Sequence, residues 1–140
     1  MYHPQMSSTV VLVKEGTYAS SNVSTLRSEN FVHCVAIILR GTIGSLLIHN
    51  HPGRTVFPSP KETELRIGKV SRAICVLGPN HMSLGTIHFL ATLDLKHVDY
   101  YESTEHKFAI EYNHETDLLK TDLHSIPWST LSTRNFMIDF

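Results

Sequence analysis

The feature that most constrains the fold is a pair of apolar runs on either side of a four-residue spacer. Cys34–Arg40 reads CVAIILR, Ser45–His51 reads SLLIHNH, and Gly41-Thr42-Ile43-Gly44 stands between them. Runs this rich in β-branched residues fit a pleated, buried surface. With glycines bracketing so short a connection, they predict a β-hairpin. If the turn is centred between Thr42 and Ile43, Cys34 stands directly opposite His51. Directly paired residues share a face, with Cβ atoms roughly 4.5–5.5 Å apart. A thiol and an imidazole then meet at the open end of the hairpin, where the imidazole can draw off the thiol proton. A slip of one residue puts them on opposite faces instead. Read from the hairpin alone, Cys34 is also accounted for as a small core hydrophobe, since free cysteine is among the most buried residue types.

Composition narrows the function classes. A chain of 140 residues suits one domain with a real core, and 41% hydrophobic residues is an ordinary globular content. The net charge of −1 offers neither a basic field for nucleic acid nor a polybasic segment for a membrane surface. No apolar run approaches the roughly 18 residues of a transmembrane helix. The opening MYHPQMSSTVVLVKEG lacks the basic region of a signal peptide. Two cysteines, Cys34 and Cys75, make no disulfide framework. These features lead us to expect a reducing compartment: the cytoplasm, or a host cytosol reached by an exported effector. Ten histidines are many for this length, although scattered surface histidines are an ordinary outcome.

The remaining elements follow from local signals. Val10–Lys14 reads as a first strand and residues 19–28, rich in Ser and Thr, as a loop. Ser59-Pro60-Lys61-Glu62 opens a helix, with Ser as cap, Pro at the first position and Glu completing a capping box. Ile67, Val70 and Ile74 continue at helical spacing into a strand-like AICVL ended by Gly78-Pro79. A second helix is expected from Ser83 or Leu84 to about Asp94, with Leu84, Ile87 and Ala91 on one face. His97–Tyr101 and Lys107–Tyr112 read as strands, Asn113–Thr116 as a turn, and Leu118-Leu119-Lys120 as the start of a last strand. The order predicts an α/β (α+β) single domain, a mostly antiparallel sheet with two helices packed on it. Residues 1–120 form that domain, and 121–140 an extension packed on it or contacting a partner.

The stretch SENFVHCVAIILRGTIGSLLIHNHPG resembles the nucleophile region of the CheD-like chemoreceptor glutamine deamidases. There a Cys begins an apolar strand and the catalytic His follows after sixteen residues, the spacing of Cys34 and His51. Ser28, six residues before the Cys, occupies the position of that family's Thr or Ser. The protein N-terminal asparagine amidohydrolases look similar over the same stretch. The cytotoxic necrotizing factor-like deamidase toxins share the Cys–His logic on a related fold. More loosely, LGTIHFLATLDLKHVDYYESTEHKFAIEYNHETDLLK looks like the family's later elements, so the resemblance spans residues 25–120. Val32-His33 stand where the family has Gly-Ser, and Leu77-Gly78-Pro79 where it has Gly-Gly. The resemblance implies a CheD-like sandwich and a cysteine-dependent protein deamidase working through a thioester, without a metal or organic cofactor. Its triad would be Cys34 as nucleophile, His51 as base and Ser28 orienting His51. The implied partner is a protein substrate carrying Gln or Asn, with a regulatory protein partner also allowed.

Two other readings stay open. His49-x-His51, then Ser59 and Glu62, is similar to the pattern of JAMM-type and RadC-type zinc hydrolases, except that Glu62 stands where that family has Asp. Histidines at i and i+2 of a strand share a face and, with a carboxylate, offer zinc three ligands. The upstream acids Glu15 and Glu29 do not lie in a segment resembling that family's glutamate strand, and Ser59 with Glu62 is equally a helix cap. The other reading is a non-catalytic binding module, with Trp128 and Phe136 contacting a partner. Cys75 reads as a buried strand residue, and His33, His81, His88 and His97 as ordinary histidines.

Overall fold

A computed structural model of the chain describes residues 9–32, 34–51, 56–77, 84–95, 98–102, 107–121 and 124–127. Along them run β1 (Val10–Leu12), β2 (Tyr18–Ser21), β3 (Thr25–Phe31), β4 (Val35–Gly41), β5 (Ser45–Asn50) and α1 (Pro60–Ile67). Then come β6 (Val70–Leu77), α2 (Leu84–Ala91), β7 (Asp99–Glu102), β8 (Phe108–Asn113), β9 (Leu118–Thr121) and β10 (His124–Pro127).

The predicted hairpin is β4 and β5. Val35 faces Asn50, Ala36 faces His49, and the ladder runs in step to Arg40 opposite Ser45. The Gly41 N–H closes the turn onto the Gly44 carbonyl at 2.8 Å. Cys34 and His51 flank the open end of this ladder, one position beyond Val35 and Asn50. Strand alternation divides the hairpin between two cores. Cys34, Ala36, Ile38 and Leu47 pack with Leu26, Phe31, Phe108, Ile110, Tyr112 and Leu119. Val35, Ile37, Leu39, Leu46 and Ile48 pack with Ile67, Phe89 and Leu90. A strand covered on both faces has no polar side to alternate with, so the centres of the two strands, Val35–Leu39 and Leu46–Ile48, are apolar on both faces.

Two five-stranded sheets result, in the orders β1-β3-β8-β9-β10 and β2-β5-β4-β6-β7. All pairings are antiparallel except β1 with β3 and β6 with β7. The first sheet covers the inner face of the second, and α1 and α2 cover the outer face. This is the expected α+β class, built as a sandwich with helices on one side. Among the described residues, no helix is long and apolar enough to cross a membrane.

Several local expectations are corrected. Residues 19–28 do not form a loop: Tyr18–Ser21 pairs with β5, and Thr25–Phe31 runs between β1 and β8. Along β3, Leu26, Ser28 and Phe31 are the buried positions. Its inward face thus includes a hydroxyl and gives only a weak apolar signal. Between β2 and β3, the Ser21 hydroxyl accepts the Ser24 N–H at 2.8 Å and makes the turn. Helix α1 opens as predicted, with the Ser59 hydroxyl accepting the Glu62 N–H and Pro at the start. It ends at Gly68, so Val70 and Ile74 belong to β6 and not to a continuing helix. Among the described side chains of α2, Thr86, Phe89 and Leu90 are buried, while Ile87 and Ala91 are half-buried. The inward face is therefore turned from the predicted one. Past Thr121, β10 pairs antiparallel with β9; Trp128 and Phe136 lie outside the described residues, as do His33, His81 and His97.

Candidate active site

The open end of the hairpin meets a turn from the start of the chain. Between β1 and β2 the backbone reverses over Lys14–Thr17, with Thr17 N–H donating to the Lys14 carbonyl at 3.0 Å. Gly16 takes φ +78°, a conformation glycine adopts without steric cost. The turn is clipped to β5 on both sides: Gly16 N–H donates to the His49 carbonyl at 2.9 Å, and His49 N–H to the Thr17 carbonyl at 3.0 Å. Glu15 is thereby held beside the end of β5.

At that end, His51 Nε2 lies 3.2 Å from Glu15 Oε1. Single donor atoms of Glu15, Cys34 and His51 lie within 4.8 Å of one another. Cys34 is 5% exposed, whereas the side chains of His51 and Glu15 are 27% and 46% exposed. The thiol is therefore sheltered, and the imidazole and carboxylate form the wetter side of the cluster.

His49, two residues earlier on the same strand face, is fully buried. Its Nδ1 is 2.7 Å from the Ser28 hydroxyl, which itself donates to the Val13 carbonyl at 2.5 Å. With the hydroxyl proton committed to Val13, the imidazole Nδ1 carries a proton and donates it to Ser28. Phe31 stacks on the ring at 3.8 Å, and Phe108 lies beyond it at 5.0 Å from Phe31. Burial drives the His49 pKa down to about 4; nearby Glu15 pulls it back up and His51 pushes it further down. His49 is neutral at neutral pH.

The structure thus brings Cys34 and His51 together and sets Ser28 elsewhere. The hydroxyl expected beside His51 lies against His49, because β3 crosses the inner face of β5 before the hairpin's end. Among the described residues, Glu15 is a carboxylate set against His51. Its signal in sequence is slight: an acid before a glycine that ends a strand. The histidine pair and Glu62 are not brought together. Positions 47, 49 and 51 of the second hairpin run face the inter-sheet core, whereas α1 lies on the outer face. There Glu62 accepts the Tyr18 hydroxyl at 2.9 Å and pairs with Arg66 at 3.2 Å. Among the described residues, Glu15, Cys34 and His51 are the His, Cys, Asp and Glu side chains grouped closely enough for metal coordination. Cys75 is fully buried on the helix-facing side of β6, where burial pushes its thiol up to about 12.

No family model and no curated protein matches the sequence. Among solved structures, the chain is similar to the C-terminal domain of CNFy from Yersinia pseudotuberculosis, with a TM-score of 0.35 and 8% identity. The match covers 91% of this chain and 62% of that one, less than two thirds of its length. At that score the likeness carries no argument about activity.

Proposed function

We propose that the chain is a cysteine-dependent amidohydrolase that converts the side-chain carboxamide of Gln or Asn in a protein substrate to a carboxylate. The observation that carries this reading is the meeting of Cys34, His51 and Glu15 at the open end of the hairpin. The choice of a carboxamide rests on the resemblance of residues 28–53 to CheD-like deamidases. In this reading His51 accepts the Cys34 proton, with Glu15 Oε1 3.2 Å from its Nε2. The thiolate adds to the amide carbon, and backbone N–H groups near Cys34 hold the resulting oxyanion. The tetrahedral adduct collapses, the C–N bond breaks, and the imidazolium proton leaves with ammonia. His51 then deprotonates a water that attacks the thioester, releasing the carboxylate and restoring the thiolate. Glu15 holds the imidazole ring and stabilises its charged form, the part an acid plays in other triads. Ser28 acts at one remove, by anchoring His49 beneath the site. The setting proposed is the cytoplasm or a host cytosol.

Two readouts on the purified chain test this. Iodoacetamide should label Cys34 near neutral pH and leave Cys75 untouched in the folded protein. Its rate profile at Cys34 should move to higher pH in His51→Ala. Ammonia release from a glutamine-rich protein such as casein should vanish in Cys34→Ser, and fall in His51→Ala by roughly 10²–10⁴-fold. A Cys34 that reacts no faster in the wild type than in His51→Ala, with ammonia release surviving Cys34→Ser, would end the proposal.

A further inference from the structure

We infer that Glu15, Cys34 and His51 also form a binding site for one divalent cation of the zinc class. They supply a carboxylate oxygen, a sulfur and an imidazole nitrogen from three separate segments, with the donor atoms inside 4.8 Å of one another. Around tetrahedral zinc, bond lengths of about 2.0–2.3 Å place neighbouring donors roughly 3.3–3.6 Å apart. The 3.2 Å between His51 Nε2 and Glu15 Oε1 meets that edge to within about 0.1 Å. The sulfur lies within 4.8 Å of both other donors, so any gap left there is at most about 1.2 Å, within the reach of small side-chain shifts.

Charge and donor type agree with the geometry. A thiolate and a carboxylate together neutralise a divalent cation, and the imidazole binds as its neutral form. Sulfur and nitrogen donors select zinc-class ions over magnesium or calcium, which take oxygen. The partial exposure of His51 and Glu15 gives the ion an approach and leaves a fourth position to water. This set is distinct from the His49, His51 and Glu62 pattern, sharing only His51. Its consequence for the activity rests on the deamidase reading: a sulfur bound to zinc is withdrawn from attack on an amide. Cation binding and turnover therefore exclude each other.

Cobalt(II) titrated into the metal-free full chain tests the site without reference to activity. The expected result is a thiolate-to-cobalt charge-transfer band that saturates at one equivalent and is bleached by zinc. Cys34→Ser should abolish the band and Cys75→Ala should leave it. Glu15→Gln, a change at a half-exposed position, should weaken cobalt affinity roughly 10-fold or more, since the loss of even an outer partner costs 10–100-fold. No band in the wild type, or one that survives Cys34→Ser, overturns the site. Ammonia release on the same metal-free sample reads the deamidase proposal separately. A chain that binds cobalt through Cys34 without releasing ammonia has the metal site and not the activity.

Discussion

His49 and His51 lie on one strand face and have opposite surroundings. His51 reaches the wetter end beside Glu15, while His49 is sealed between Phe31 and the Ser28 hydroxyl. That difference has a thermodynamic signature. The unfolded chain binds a proton on such a histidine near 6.5, the folded chain only near 4. Between those values the unfolded state holds more protons, so stability is full above about pH 6.5 and falls as pH drops toward 4. The shift corresponds to about 3 kcal/mol over the whole window. Urea midpoints measured at neutral pH and near pH 4.5 should show the loss, and His49→Gln should shrink the difference between them. An unchanged difference would remove His49 as its source. At this scale the sequence was legible for Cys34 and His51 and illegible for Glu15. The first two are fixed relative to each other by one short turn, whereas Glu15 reaches His51 only when the Gly16 turn docks on β5.

The elements that could be read early are those whose signals are local. The hairpin announces itself through two largely apolar runs and a glycine-bracketed turn, and α1 through Ser59 and Pro60. Strands β2 and β3 carry Ser, Thr and Arg on half-buried positions, and only pairing with β5, β1 and β8 makes them strands. The hairpin turn and α1 are also joined closely. Ile43 N–H donates to the Ile67 carbonyl at 2.9 Å and Thr42 N–H to the Lys69 carbonyl at 3.1 Å. A Cβ added at Gly41 would lie 2.1 Å from that Ile67 carbonyl oxygen. Backbone on both sides leaves little room to yield. Gly41→Ala should therefore destabilise by about 2–3 kcal/mol, the upper range for overpacking, as measured by urea unfolding. A negligible loss would show that the turn and the helix end can part without cost.

Across the whole molecule, the two sheets are held by their shared apolar core and, at the turn end of the hairpin, by a polar bridge. Arg40 donates to the Tyr112 hydroxyl at 2.8 Å and to the His114 carbonyl at 2.9 Å, and the Tyr112 hydroxyl donates to Asp117 at 2.6 Å. His114 Nδ1 also meets the Ser45 hydroxyl at 2.6 Å. Tyr112→Phe removes the central hydroxyl and should cost about 1–3 kcal/mol in unfolding free energy. Because Arg40 and Ser45 pair at one end of the hairpin and Cys34 and His51 flank the other, alkylation of Cys34 should keep its rate in this variant. A slowed Cys34 would show that the bridge supports the site as well as the sheets. By itself the sequence pointed to the hairpin and, for a turn centred between Thr42 and Ile43, to Cys34 opposite His51, and the β4–β5 ladder has that register. A side-chain period of two across a tight turn is local geometry and leaves a readable pattern. Tertiary structure alone decided that a carboxylate from the first turn meets His51, that Ser28 serves His49, and that Glu62 lies across the sheet from the histidines. Those outcomes depend on which faces dock between distant segments, and docking leaves no periodic trace in the chain.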